Sequence, residues 1–491
     1  MSARALLIGE GTTTASARYL VLIATALSLF GLLIIASVSD AAAGGGAPYG
    51  YAKKQAAYIA VAVVCALVVR AFDYRFFARH ANLLMAVVWG LLILLLLMPV
   101  RSQMGAKRWF ELPGLGHFQP SEAAKVALVV WCGAYAAKRG ARIREFLGGS
   151  LPALVVIGGT AGLVMMQKDL GTTLLLGVVG ATCLVVSGAR LGHLWPPVVL
   201  GVPALIITMS SKFGYIKDRL DIFRRGYQSE GALGQVDQAL LALGSGGWFG
   251  RGFGDSRAHL GFVPQVHNDF IMAAVGEQLG FAGAAGVVIL LLLFFLHGTR
   301  IAAAARDRFG FTLAYGCSFL VVLQAAVNVA VATSLVPPKG INLPFVSAGG
   351  SSMILLGGCV GLIGSVSRVT AAEDAAEAAE AEESLRRKAT EAAEAEASAM
   401  FAAHAAFVEA SEIESEDATA RDSRVVAGIA AWACKSRHRG TTRPSVRMEC
   451  EFHRALAQTK TTGIRPRRPT PASPRRHSTT DRVRSAFGDR G

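Results

Sequence analysis

The strongest constraint on this chain is a series of nearly uncharged apolar runs, each long enough to cross a lipid bilayer. A helix rises about 1.5 Å per residue, so roughly 20 apolar residues span a hydrocarbon core of about 30 Å. Ten such runs occur, at approximately 19–39, 56–73, 82–99, 120–137, 150–166, 170–188, 194–211, 269–296, 311–334 and 346–366. Within lipid the backbone must satisfy its own hydrogen bonds, which leaves the helix as the structure open to runs of this length. The expected fold is an all-α integral membrane protein of about ten transmembrane helices. A soluble globular domain is excluded, because hydrophobic residues make up 53% of the chain and charged residues only 17%, where soluble domains carry about 25% charge. The first run is too long for a cleavable signal and lacks a small-residue cleavage site, so it is expected to stay as an anchor.

Charge placement orients the spans. The loops after spans two, four, six and eight carry Arg75 and Arg79, then Lys138, Arg139, Arg142 and Arg144, then Arg190, then Arg300, Arg306 and Arg308. Basic loops stay in the cytoplasm, so both termini are expected there, including the N-terminal segment 1–18. The membrane domain then covers 19–370. The loop between spans seven and eight, 211–268, falls on the outer side and is too long for a simple connection. Its glycine-dense LGSGGWFGRGFGDS stretch could bend closely around an anion or form an ordinary reentrant loop. Residues 371–420 are Ala/Glu-rich and expected to be helical. The segment 421–491 reads as a disordered basic tail. From Ser423 onward sixteen Lys and Arg face four Asp and Glu, so +12 of the net +15 lies in the tail. Such a tail is drawn to anionic inner-leaflet lipid and needs no nucleic-acid partner. The seven cysteines are scattered, five of them inside apolar runs, and are expected to be buried thiols.

Ionisable groups at or inside apolar spans are costly and therefore informative. Asp269 stands where the loop Gly261–Asn268 runs into span eight. It is either the helix cap, which Asp favours, or a carboxylate whose properties burial can tune. Glu277 follows two turns later and could share a polar groove with it. Glu122 and Lys125, three apart on one helix face, can pair with each other; the pair is either structural or the wall of a site. Asp169, in the tight connection between spans five and six, suits a cap. Lys339 and the small and hydroxyl residues around Ser347 and Ser351 introduce span ten, either for close helix packing or as a hydroxyl-lined site. Under the topology above, all four sets open on the outer side.

Several separated motifs resemble one family in order. Gly105-Ala106-Lys107-Arg108-Trp109 with Gln119-Pro120-Ser121-Glu122-Ala123-Ala124-Lys125 resembles a GA-R-W and QPSE-AK motif. Gln167 to Thr172 resembles QPDLGT. His267-Asn268-Asp269-Phe270-Ile271 with Gly276-Glu277-Gln278-Leu279-Gly280 resembles HTDFIF and GEELG, and Lys339 to Ser352 resembles a KG…LPFVSYGGSS block. Together they resemble the SEDS family (shape, elongation, division, sporulation), the FtsW/RodA peptidoglycan glycosyltransferases, over about residues 15–370, with Lys339-Gly340 closer to the division type. The chain departs from the pattern at Lys168, Asn268, Met272, Gln278 and Ala348.

The resemblance implies polymerisation of lipid II at the outer face of the bacterial cytoplasmic membrane, at the division site. Asp269 is then the general base, because a sugar hydroxyl is a poor nucleophile until a carboxylate takes its proton. Lys107, Arg108 and Lys339 are candidates to hold the diphosphate. Trp109, Gln119, Ser121, Glu122, Lys125, Asp169, His267, Glu277, Ser347 and Ser351 would line or shape the substrate site. A divalent cation, Mg²⁺ or Mn²⁺, with Asp269 as a candidate ligand, would suit a diphosphate; no organic cofactor is expected. The implied partners are a class B penicillin-binding protein, other divisome proteins and membrane lipid. A lipid II flippase and a non-catalytic scaffold are the competing readings.

Overall fold

The structure is a computed structural model that describes residues 12–42, 49–98, 108–112, 116–195, 199, 235–253, 269–337 and 340–416. Two compact units divide the chain, Met1–Glu383 and Ser384–Gly491. The first is built of helices at the places where the apolar runs lie. They are α1 (Thr12–Ala42), α2 (Gly50–Ala71), the short α3 (Tyr74–Arg79), α4 (Ala81–Leu97), α5 (Pro120–Arg139), α6 (Leu151–Met166) and α7 (Leu170–Val186). After the short α8 (Gln235–Ser245) come α9 (Ile271–Ala304), α10 (Arg308–Ala332) and α11 (Gly350–Glu416). Nine of the ten expected spans therefore coincide with helices, while the seventh, 194–211, falls almost wholly outside the described residues. Six of the described helices are long and apolar enough to cross a membrane, and α4 and α7 are shorter apolar helices.

Local sequence explains where these helices begin and end. Pro120 opens α5 at a position where its missing N–H costs nothing, Glu122 lies in the positive first turn, and Lys138 and Arg139 lie in the negative last turn. Asp73 caps α3 by accepting the Arg75 N–H at 2.8 Å. Apolar faces turn outward as well as inward: Leu22, Leu33, Leu67, Leu83 and Val155 are all exposed. In water that would be a liability; in lipid it is the expected surface, and cohesion passes to close packing between helices.

The packing centre is α9, which lies against α1 and α10, while α10 also packs on α5 and α7. The approach of α9 to α10 is set by Gly298, where an added Cβ would stand 1.9 Å from Ser318 Oγ. Of the five described cysteines, Cys132, Cys183, Cys317 and Cys359 are buried free thiols, and Cys65 is a half-buried one.

One end of the first unit is bound together by charge. Arg368, just past the last apolar run, donates to the backbone carbonyls of Arg70, Ala71 and Phe72 at the end of α2, at 3.1 to 3.2 Å. Arg75 pairs with Glu373 at 2.8 Å, and Arg306, between α9 and α10, pairs with Asp374 and with Glu377 at 2.7 Å. Nearby the Tyr74 hydroxyl donates to Asp307, and burial together with that carboxylate pushes the phenol pKa up. In the second unit the described residues are helical as far as Glu416 and exposed as far as their side chains are described.

Candidate functional site

Asp269 lies in a turn just before α9, half-buried. It is not the cap: the N-cap position is Phe270, with no side-chain cap hydrogen bond. The acid is held by its backbone instead. Asn328, from the buried interior of α10, donates to the Asp269 carbonyl at 3.0 Å and to the Ile341 carbonyl at 2.7 Å. One amide thus ties the turn carrying Asp269 to the segment that introduces α11. The fit there is close, since a Cβ on Gly340 would come within 3.3 Å of the Asp269 carboxylate. The Asn328 Oδ1 is buried without a hydrogen-bond partner among the described residues.

One turn back on α10, Gln324 repeats the arrangement. Its Oε1 accepts from Lys125 Nζ at 2.8 Å, and its Nε2 donates to the Asn342 carbonyl at 3.0 Å. Lys125 in turn pairs with Glu122 at 2.7 Å; both side chains are buried or nearly so, at 4% and 13% exposed. The expected ion pair therefore forms, and it is one end of a continuous polar chain. That chain runs from Glu122 and Lys125 of α5, through Gln324 of α10 to Asn342, and from the adjoining Ile341 through Asn328 to Asp269.

A second cluster gathers around Gln119. The strands β1 (Phe110–Leu112) and β2 (Gly116–Phe118) pair antiparallel, with Glu111 opposite His117, and deliver Gln119 to the start of α5. Its Nε2 reaches Ser121 Oγ at 2.9 Å and Asp169 Oδ2 at 3.2 Å, and its backbone N–H points to Ser351 Oγ at 3.4 Å. Asp169 is buried and caps α7, accepting the Thr172 N–H at 3.2 Å and the Thr172 hydroxyl at 2.9 Å, so its cap reading holds. Arg108 donates to the Lys168 carbonyl, while its Nε is buried without a partner among the described residues. Trp109, half-buried, stands between Arg108 and β1. Lys168 has φ 63°, which the proline usual at this place in the motif could not adopt.

Ser347 is buried and closes the Leu343–Ser347 turn by accepting the Leu343 N–H at 2.8 Å. Its own carbonyl accepts from Gln55 at 3.3 Å. Glu277 is buried in α9 where the glycine-rich segment crosses the helix. There Arg251 and Gly252 donate backbone hydrogen bonds to the Glu277 and Gln278 carbonyls at 3.0 and 3.1 Å, and Phe281 and Ala282 donate to Gly247 and Trp248. These bonds replace helical ones lost at Gly280, which breaks α9 with φ 68° and ψ −165°. The Arg251 and Gly252 N–H groups of this segment are thus spent on a helix. Lys107, His267 and Lys339 lie outside the described residues.

Sequence reading missed Gln324 and Asn328. Two amides four residues apart in an apolar span were the available signal, since that spacing puts both on one helix face.

The model of the FtsW, RodA and SpoVE proteins, described as a cell cycle protein, matches residues 17–372. The chain belongs to this family. A probable peptidoglycan glycosyltransferase FtsW of Trichlorobacter lovleyi is 36% identical over 351 residues, covering 70% of this chain and 91% of the relative. A protein of the same description from Thioalkalivibrio sulfidiphilus is 35% identical over 348 residues, 69% of this chain and 86% of its own. Among solved structures, a chain from a peptidoglycan synthase complex superposes with a TM-score of 0.57 at 24% identity, over 72% of this chain and 97% of its own. The rod shape determining protein RodA of Thermus thermophilus does so with a TM-score of 0.52 at 24% identity, over 71% and 95%. These likenesses establish the FtsW/RodA membrane fold, and the Glu122, Asp169, Asp269 and Ser347 motifs all lie inside the matched residues.

Proposed function

We propose that this FtsW-type protein is a peptidoglycan glycosyltransferase that polymerises lipid II for the division septum, with Asp269 as general base. The observation that carries this is the placement of one half-buried carboxylate at the mouth of a span, its backbone fixed by Asn328. A fixed carboxylate can take the proton from the GlcNAc 4-hydroxyl as that oxygen attacks the MurNAc anomeric carbon. The C–O bond to the diphosphate breaks as the new one forms, undecaprenyl diphosphate leaves, and attack from the opposite face inverts an α-linked donor. No covalent enzyme intermediate is needed.

Lys107, Arg108 and Lys339 are placed by the motifs to offset the leaving diphosphate. Lys125 is neutralised by Glu122, so we assign that pair to holding the cavity wall. Among the described residues no three His, Cys, Asp or Glu side chains gather as metal ligands. They do not by themselves build a cage for Mg²⁺ or Mn²⁺.

We assign the acidic site to the outer face of the cytoplasmic membrane, with ten spans and both termini inside. This topology is supported by the ion pairs that join the Arg75 loop and the Arg306 loop to Glu373 and Asp374 beyond the last span, because groups in contact share a side. A class B penicillin-binding protein and other divisome proteins are the partners we assign, in keeping with the synthase complex that shares the fold.

The decisive test is polymerisation of lipid II by purified Asp269→Asn protein. We expect a loss of about 10²- to 10⁴-fold, the usual contribution of a general base, with expression and detergent behaviour unchanged; polymer at the wild-type rate refutes the assignment. Vesicles reconstituted with the wild type separate the flippase reading, which requires lipid II transport without polymer.

A further inference from the structure

At the end of α9 remote from Asp269, three connections enclose a cavity of about 450 Å³. They are the turn after α5, the end of α7 and the 305–308 turn. α9 is 34 residues long, roughly 50 Å at about 1.5 Å per residue, so this cavity is separate from the site above. Its volume falls in the range of small-ligand sites.

The wall combines apolar side chains, including Ile143, Val186 and Phe311, with three guanidinium groups, Arg144, Arg306 and Arg308. Their charges are not equally committed. Arg306 is held by Asp374 and Glu377. The acid in the wall, Asp307, already accepts the Tyr74 hydroxyl. The wall hydroxyls are also satisfied, since Ser187 bonds the Cys183 carbonyl and Thr312 the Arg308 carbonyl. Arg144 and Arg308 make no ion pair among the described residues, and both are exposed. Asp307, at the N-cap of the 25-residue α10, makes no side-chain cap hydrogen bond, so the positive end of that helix adds to the same field.

We propose that this cavity binds a phosphate group through Arg144 and Arg308. The partly apolar wall favours the headgroup phosphate of an anionic phospholipid, and a soluble phosphate shares the same chemistry. Guanidinium is well matched to phosphate oxygens, as a planar fork of donors. On the topology proposed above, the basic loops that line the cavity lie on the cytoplasmic side, where anionic lipid is concentrated.

The test uses the full chain in nanodiscs of equal phosphatidylglycerol and phosphatidylcholine, with native mass spectrometry of the lipids it retains. Wild type should retain phosphatidylglycerol in preference, and Arg144→Gln/Arg308→Gln should lower that retention about tenfold, the loss expected from removing charge-assisted bonds. Arg142→Gln, an exposed arginine outside the cavity wall, should retain lipid as the wild type does. Melting temperatures in phosphatidylcholine alone check that the variants fold, with Arg308→Gln as the milder second variant. A parallel arm adds inorganic phosphate to protein in phosphatidylcholine. A phosphate-dependent rise in melting temperature that the double variant loses, without selective lipid retention, identifies soluble phosphate as the source. Equal retention by all variants with no phosphate response overturns the proposal. So does an equal fall for Arg142→Gln, which would reduce the effect to general surface charge.

Discussion

Asn328→Leu isolates what the buried amide of α10 does for Asp269. In the structure Asn328 donates two hydrogen bonds, at 3.0 and 2.7 Å, to the carbonyls of Asp269 and Ile341. Leucine is close in volume but donates neither. Two carbonyls left dry cost about 1–3 kcal/mol each, and removal of the unpartnered Asn328 Oδ1 returns a similar amount for one group. The net expectation is a stability loss of about 1–3 kcal/mol, small enough for the protein to fold. The functional effect is larger, because a displacement of about 1 Å at a reacting group costs on the order of 10²-fold in rate. In a lipid II polymerisation assay kcat should fall about 10- to 100-fold with KM nearly unchanged, the pattern of a group that acts on the transition state and not on ground-state binding. A double-mutant cycle with Asp269→Asn sharpens the test. If Asn328 acts by positioning Asp269, the double variant is no slower than Asp269→Asn alone. A rate within twofold of wild type for Asn328→Leu, or full additivity in the cycle, would refute the reasoning.

Lys125→Ala strands the Glu122 carboxylate, which is only 13% exposed, and should lower stability by about 3–5 kcal/mol in thermal unfolding; the paired change Lys125→Met/Glu122→Gln should lower it less, since neither leaves a lone buried charge. Gly280→Ala forces a side chain into a glycine-only conformation and sets its Cβ 2.5 Å from the Gly250 nitrogen, so about 1–3 kcal/mol or more should be lost. The control Gly286→Ala meets nothing within 4 Å and should melt as the wild type does. Arg306→Gln breaks ion pairs whose arginine is 33% exposed and should change stability by no more than about 1 kcal/mol.

How much was readable in advance differs from one element to the next. Asp169 was legible because its task is local: a cap and its N–H lie three residues apart, and the sequence carries both. The Glu122–Lys125 pair was legible for the same reason. Asp269 was open to a cap reading, and the structure decides against it, because cap propensity is a local preference and the turn geometry here places Phe270 at the cap. The glycine-rich segment was ambiguous. Its glycines signalled close approach without naming the surface approached, and that surface is the backbone of α9 at Gly276–Gly280, about thirty residues away.

By itself the sequence determined the membrane class, the helices over nine apolar runs, the family, and which ionisable groups sit in or beside the spans. Length and hydropathy suffice for the first two, since lipid leaves the backbone few choices, and spaced motifs suffice for the rest. Only the tertiary structure decided what each of those groups touches. Gln324 and Asn328 look like incidental amides in an apolar span until α10 is packed between α5 and the 340–349 segment. Hydrogen bonds between residues 59 and 199 positions apart depend on how helices cross, and no local preference encodes that.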